Sequence, residues 1–340
     1  MNLSVGIVGL ANVGKSTLFN ALLQKQQALV ANYPFATIEP NIGIVPVPDE
    51  RLDRLAETIA KERVHPEGRG VNKEILMKVK LPPVVPATVK FIDIAGLVKG
   101  ASTGEGLGNQ FLAQIREVNV ICHIIRTFED EAVVRQGSVS PKDDWEMVNT
   151  ELALADLETK QKRETKKKGI TEALPLLTEK PVIVVVNVNE GQEKQAETVA
   201  RGLGIEPRWV VGISAKMEAD LAALPPAEQR EYLATQGLKQ SGLEKLIQLA
   251  YERLELISFL TAGEKEVRAW TLRRGDTALR ASSVIHTDFA RKFIKAEVIP
   301  WQELVKCGGW KRAKETGAVR SEGRDYVIQD GEVVEFKIGA

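Results

Sequence analysis

Short apolar runs alternate with amphipathic stretches over the first 260 residues. LSVGIVG (3–9), VKFIDI (89–94), VNVICHIIR (118–126), PVIVVVNV (181–188) and WVVGIS (209–214) are rich in Val and Ile and predict buried strands. Helical spacing predicts helices between them at 15–25, 49–60, 105–117, 192–203 and 241–257. Such alternation builds a mostly parallel sheet with helices on both faces, an α/β class.

Two stretches leave that pattern. Residues 141–168 predict a helix, with Pro141 just upstream of Asp143 or Asp144 as N-cap. Trp145, Val148, Leu152, Ala155 and Leu157 make its apolar stripe, which fades into a wholly polar end closed by Lys166 to Lys168. A helix end without a stripe has nothing to pack on a core, so this one projects into solvent. The second stretch, 262–340, contains EVRAWTLRRG and DYVIQDGEVVEFKI, with Asp330-Gly331 as a tight hairpin turn between alternating strands. It reads as a small α+β module.

Composition narrows the class. The 340 residues, 44% apolar and 27% charged, suffice for two or three domains with filled cores. Lys plus Arg equals Asp plus Glu at 46 each, which argues against a chain-wide polyanion-binding surface and leaves room for a local basic patch; neither DNA nor a membrane is an expected partner. Cys122 and Cys307 are too isolated for a disulfide framework or a zinc site, and Cys122 lies in an apolar run that predicts packing. The first ten residues lack a charged signal-peptide region, and no apolar run approaches the ~20 residues of a membrane span. The expectation is a cytoplasmic, soluble monomer.

The chemistry begins at GLANVGKST, residues 9–17, which matches G-x-x-x-x-G-K-[ST] directly after a strand and before a helix. Gly9 and Gly14 let the backbone curl, so that amides from Asn12 and Val13 onward face phosphate oxygens, and the helix adds its positive end. Lys15 is expected to reach the β and γ phosphates, Ser16 to offer its hydroxyl to Mg²⁺, and Thr17 to meet the α phosphate. In FIDIAGL (91–97), Asp93 would hold the magnesium through water and the Gly96 amide would meet the γ phosphate. The glycine-rich VKGASTGEGLGNQF that follows predicts a switch loop, and Thr37 in NYPFATIEPN is the natural first-switch ligand for Mg²⁺.

The base-reading slot departs from Asn-Lys-x-Asp. It holds Asn187, Val188, Asn189 and Glu190. An Asp accepts both guanine donors, N1–H and N2–H₂, at once; Glu190 is a methylene longer, and Val188 stands where a Lys would cover the ring. Asn187 can serve adenine N6 and N7, so the expectation moves toward ATP, with weak GTPase activity. Backbone amides beside Ser214 and Ala215 in ISAK would complete the base pocket. Leu97, after D-x-A-G, cannot orient the attacking water. Asn12 fits two roles, holding a K⁺ ion against the phosphates or stabilising the loop. His123 lies mid-strand between apolar neighbours and reads as a satisfied core histidine.

GLANVGKSTLFNAL, NYPFATIEPN, DIAGLVKGASTGEGLGNQFL, NTELALADLE, NVNE, FLTAGEKEVRAWT, IHTDFARKFIKAEVI and DYVIQDGEVVEF together resemble the YchF family of Obg-like ATPases almost end to end. The resemblance implies a P-loop GTPase-like (Rossmannoid) domain at 1–140 and 180–260. It further implies an inserted coiled-coil arm at 141–179 and a TGS module of ubiquitin-like β-grasp form at 261–340. It also implies ATP and ADP as ligands, Mg²⁺ dependence, and association with ribosomal RNA and proteins. By motif match, Lys15, Ser16, Thr37, Asp93 and Gly96 take the phosphate and metal roles, and Asn187 and Glu190 the adenine-side motif.

Two features depart from the family pattern. Lys160 to Thr178 is too short for the family's long helix pair to run out and back, and Arg135 and Gln136 stand where the family carries a catalytic-candidate His. Arg135 could neutralise transition-state charge and Gln136 orient water, or both could belong to a solvated loop. The last module carries 15 Lys and Arg against 12 Asp and Glu, with Arg268, Arg273, Arg274 and Arg280 around Trp270. Three functions therefore compete: an ATP-hydrolysing ribosomal switch that modulates translation or stress response, an Obg-type GTPase, and a nucleotide-gated scaffold with incidental hydrolysis.

Overall fold

The computed structural model describes residues 3–32, 41–64, 80–94, 107–129, 140–165 and 175–339. In chain order its elements begin β1 (Ser4–Val8), α1 (Lys15–Asn32), β2 (Ile42–Pro46), α2 (Glu50–Val64), β3 (Val84–Val85), β4 (Thr88–Asp93), α3 (Leu107–Glu117) and β5 (Val120–Arg126). They continue α4 (Pro141–Thr165), β6 (Val182–Asn187), α5 (Gln195–Leu203), β7 (Val210–Ile213), α6 (Ala215–Ala222), α7 (Pro226–Thr235) and α8 (Gly242–Arg253). The last are β8 (Leu256–Ala262), β9 (Val267–Arg273), α9 (Ala278–Ile285), α10 (Thr287–Arg291), β10 (Phe293–Pro300), α11 (Trp301–Cys307), α12 (Trp310–Glu315), β11 (Arg320–Glu322) and β12 (Glu332–Ile338). Two compact units result, Met1–Pro46 with Val89–Leu254, and Val47–Thr88 with Glu255–Ala340.

The first unit is built on a six-stranded sheet in the order β2-β4-β1-β5-β6-β7. β1 pairs in parallel with both β4 and β5, β5 with β6, and β6 with β7. Every residue of β5 is buried, the consequence of a central strand covered on both faces. β2, at the edge, alternates half-buried and buried positions. Cys122 packs in β5, where burial pushes its thiol up to about 12. α8 starts on a reciprocal cap readable as S-x-x-E: Ser241 Oγ accepts from the Glu244 amide at 3.2 Å, and Glu244 Oε2 accepts from the Ser241 amide at 3.1 Å. That helix stops at Arg253 rather than running to 257, because Glu255 turns the chain at a φ of 56°.

The arm helix α4 differs from its expectation in two details. Its N-cap is Ser140, whose Oγ accepts from the Asp143 amide at 3.2 Å, leaving both aspartates inside the first turn. Val148, Leu152 and Ala155 are buried, whereas Leu157 is 53% exposed. Five residues beyond Leu152 lies well round the helix from the stripe, so Leu157 cannot share that face. Asp156, buried, instead accepts from the amides of Leu177 and Thr178, each at 2.9 Å, and fixes the return of the chain.

The second unit carries the sheet β11-β10-β12-β8-β9-β3. β8 and β9 form an antiparallel hairpin, and β12 returns parallel to β8 through Val333 opposite Leu260. A first hairpin, helices, and a last strand parallel to the first make a β-grasp arrangement. Ile257, Phe259, Leu272, Phe293, Val298 and Val334 are buried in its core. Asp330-Gly331 is a turn but not a hairpin: β12 pairs with β10 and β8, and the preceding segment makes only a bridge from Val327 to Thr277. The parallel partner excludes a tight turn, so Asp330 ties the turn to β8 by accepting from the Ser258 amide at 2.9 Å.

Residues 47–88, which the sequence reading placed with the nucleotide domain, belong to this second unit. β3 extends its sheet, Val84 lying parallel and opposite Val267, and Arg51 of α2 binds Asp330 at 2.7 Å. The basic side chains of this unit are partly neutralised within it. Arg268 lies over the Trp270 ring at 4.0 Å, Arg291 pairs with Asp288 at 3.7 Å, and Lys295 with Glu297 at 3.1 Å.

Candidate functional site

Parallel strands of the first unit all end on one edge, and the strand order reverses around β1, whose neighbours are β4 and β5. Ligands bind at such a reversal, outside the carboxyl ends of the strands. The loop between β1 and α1 sits there, with Asp93 ending β4, Arg126 ending β5 and Asn187 ending β6.

Within that loop Asn12 holds a left-handed φ of 62° and Gly14 a φ of 97°. A Cβ on Gly14 would lie 2.2 Å from Asn187 Nδ2, so glycine is required by both conformation and space. Val13 is buried, and Ser16 and Thr17 lie exposed in the first turn of α1. Lys15 Nζ donates to the Leu10 carbonyl at 2.6 Å, bending back over the loop. Burial pulls the Lys15 ammonium below its ordinary value while Asp93 opposes that shift; burial raises the Asp93 carboxyl and Lys15 opposes it in turn. A cation of the loop and a carboxylate at the end of β4 thus feel one another's charge at a partly dry site.

Asn187 has a role its motif position did not reveal. Its Nδ2 donates to the Val13 carbonyl at 2.9 Å, and its Oδ1 accepts from the Ala215 amide at 3.1 Å. Its main-chain oxygen accepts from the amides of Thr127 and Phe128 at 2.9 and 3.1 Å. One buried residue therefore ties together the phosphate loop, the exit of β5 and the turn from β7 into α6. The Ala215 amide, expected to face the base, is engaged by Asn187. Ser214 caps α6 by accepting from the Met217 amide at 3.4 Å.

Val188, which stands where a Lys would cover the ring, is buried with Ile125, Val184, Val186 and Ala196, so its side chain belongs to the core. Glu190 is exposed on the turn that follows and accepts a hydrogen bond from the Tyr232 hydroxyl. Gly96, Thr37, Arg135 and Gln136, like Leu97, lie outside the described residues.

Sequence reasoning passed over Arg126, although a cation closing the apolar run VICHIIR was a visible signal. It is buried, its Nε donates to the Phe128 carbonyl at 3.1 Å, and its Nη1 reaches the Asn12 carbonyl at 3.5 Å. Its amide donates to Asp144 of α4 at 3.0 Å, so the arm helix is rooted beside the phosphate loop.

The donor set fits a nucleotide-borne magnesium. Ser16 at the start of α1 and Asp93 at the end of β4 offer the hard oxygen atoms that a magnesium ion takes. A metal held by few protein oxygens takes its remaining ligands from water and phosphates.

His123 is buried as expected but not satisfied. Its ring stacks on Trp145 with centroids 5.3 Å apart, and Nε2 has no hydrogen-bond partner among the described residues. Burial, then the Lys15 charge, pull its pKa from 6.5 down to about 3. The unfolded chain therefore takes up a proton near pH 6.5 that the folded chain refuses until about pH 3. Stability is expected to fall by as much as about 1.4 kcal/mol per pH unit as pH drops through that window. Denaturant unfolding between pH 6.5 and 4.5 measures the slope; it should flatten in His123→Leu, and equal slopes would contradict the assignment.

A family model described as "50S ribosome-binding GTPase" matches residues 4–188, and the YchF-GTPase_C model, "Protein of unknown function (DUF933)", matches 256–339. The ribosome-binding ATPase YchF of Bacillus subtilis (strain 168) is 40% identical over 385 aligned positions, covering 99% of each chain. That of Escherichia coli O157:H7 is 42% identical over 380, again with 99% of each covered. The YchF GTPase structure from Schizosaccharomyces pombe superposes with a TM-score of 0.79 at 32% identity, covering 99% of this chain and 98% of that one. The Bacillus alignment is 45 positions longer than the 340 residues of this chain, so at least that many have no counterpart here.

Proposed function

The chain belongs to the YchF family, and from that premise we propose that it is a Mg²⁺-dependent switch that hydrolyses ATP in preference to GTP and docks on the ribosome. One observation carries the preference: the phosphate loop and its Asn187 clamp are whole, while the guanine-reading pair is replaced by a core Val188 and an exposed Glu190. An intact phosphate site with an altered base rim indicates a changed base rather than a lost one. The ribosome enters from the names of the relatives.

In this reading water attacks the γ phosphate in line, and the chain contributes position and charge. Lys15 leaves the Leu10 carbonyl for the β and γ phosphates, and the loop amides up to Ser16 take phosphate oxygens. Ser16 and, through water, Asp93 would hold the magnesium, with Thr37 as the further ligand, and the ion would supply neutralisation of phosphate charge. Asn12, whose left-handed conformation sets the loop, is the residue through which K⁺ would add to that neutralisation.

Competition between ATP and GTP for the Mg²⁺-loaded chain tests the base, in K⁺ and again in Na⁺. ATP is expected to bind at least tenfold tighter, and Glu190→Asp to narrow that margin several-fold by shortening the reach toward guanine's donors. GTP binding tenfold tighter than ATP would sink the reading in favour of an Obg-type GTPase. Cosedimentation with ribosomes in ATP, ADP and no nucleotide tests the partner, and indifference to nucleotide would favour a scaffold.

A further inference from the structure

Glu190 is not left to itself on the turn after β6. The turn that carries it is shaped by Gly191 at a φ of 80° and closed by the Gln192 amide on the Asn189 carbonyl at 3.1 Å. Tyr232, on α7 and 42 residues further along the chain, donates its hydroxyl to Glu190 Oε1. α7 is anchored from below, Leu233 being buried with Met217 and Leu221 while Tyr232 packs against that cluster. The hydroxyl is therefore presented from a fixed element, and the carboxylate is what it restrains.

We propose that Tyr232 is a specificity-determining residue that disfavours guanine by holding one oxygen of Glu190. Guanine presents N1–H and N2–H₂ side by side, and a carboxylate grips both only when its two oxygens turn together into the plane of the base. Adenine presents one exocyclic amino group beside an acceptor, and a single carboxylate oxygen serves it. Pinning Oε1 to the tyrosine leaves Oε2 to face the base, which suits adenine and denies guanine its paired acceptor. Selectivity of this kind works by obstructing the competitor rather than by adding a contact to the preferred ligand. The inference rests on the reading above that Glu190 faces the base.

The experiment uses the full chain with Mg²⁺, displacing a fluorescent ADP analogue by ATP and by GTP. Tyr232→Phe removes only the hydroxyl and keeps the ring on its cluster. GTP is expected to bind three- to tenfold tighter in this variant, with ATP affinity held within twofold. The same substitution in a Glu190→Gln background should leave the ATP-to-GTP ratio unmoved, since the effect acts through the carboxylate. A ratio within twofold of the unmodified chain in Tyr232→Phe, or an equal narrowing in the Glu190→Gln background, would overturn the proposal. An unmodified chain without ATP preference would overturn the base reading first, and the two failures are told apart because that result needs no variant.

Discussion

Replacing Lys15 by methionine is expected to cut nucleoside-triphosphate turnover by at least about a hundredfold without lowering the stability of the fold, a loss of roughly 2.7 kcal/mol of transition-state stabilisation. Lys15 is held down on the Leu10 carbonyl, and burial pulls its pKa below the ordinary value. Such a lysine is a group whose charge the folded chain carries at a cost, because its ammonium lies where solvation is poor. Methionine keeps the length and apolar stem and removes that cost. The thermal midpoint should therefore stay level or rise, while steady-state hydrolysis collapses. Turnover within tenfold of the unmodified chain would remove Lys15 from the machinery. A midpoint lowered by more than about 5 °C, roughly 3–4 kcal/mol for a chain of 340 residues, would make it a structural residue instead.

Asn187→Ala should give the larger stability effect, about 2–4 kcal/mol in denaturant unfolding, and at least a tenfold loss of nucleotide affinity. The substitution leaves the Val13 carbonyl and the Ala215 amide without the side chain that now serves each. A buried polar group stripped of its partner costs about 1–3 kcal/mol, and two are stripped here. Affinity falls for a related reason, since the phosphate loop loses its tie to β6 and binding must first order it. A stability loss under 1 kcal/mol would show that the clamp is dispensable. Unchanged affinity alongside a large stability loss would separate the clamp from the phosphate site.

Much of the fold could be read from local pattern. β5 and β6 were legible because a strand buried on both faces is a continuous apolar run, and α8 because its apolar residues recur at helical spacing. The phosphate loop was legible because its contacts lie within a few residues of one another, Lys15 reaching only as far back as Leu10. Leu157 was misplaced by counting it into a stripe whose angle it does not share. The supposed hairpin at Asp330 failed because pattern shows that a segment is a strand but not which strand it joins.

The sequence by itself determined that Lys15, Ser16, Asp93 and Asn187 lie at the carboxyl ends of their strands, since each follows its strand at a spacing that local geometry imposes. Tertiary structure alone decided what those groups are tied to. Asn187 reaches Val13 across 174 residues, Tyr232 meets Glu190 across 42, Arg51 meets Asp330 across 279, and residues 47–88 join a unit otherwise made of 255–340. The physical reason is that a hydrogen bond's direction is set by where two separately packed elements come to rest. Periodicity governs each element's own face and carries no information about the neighbour it will meet.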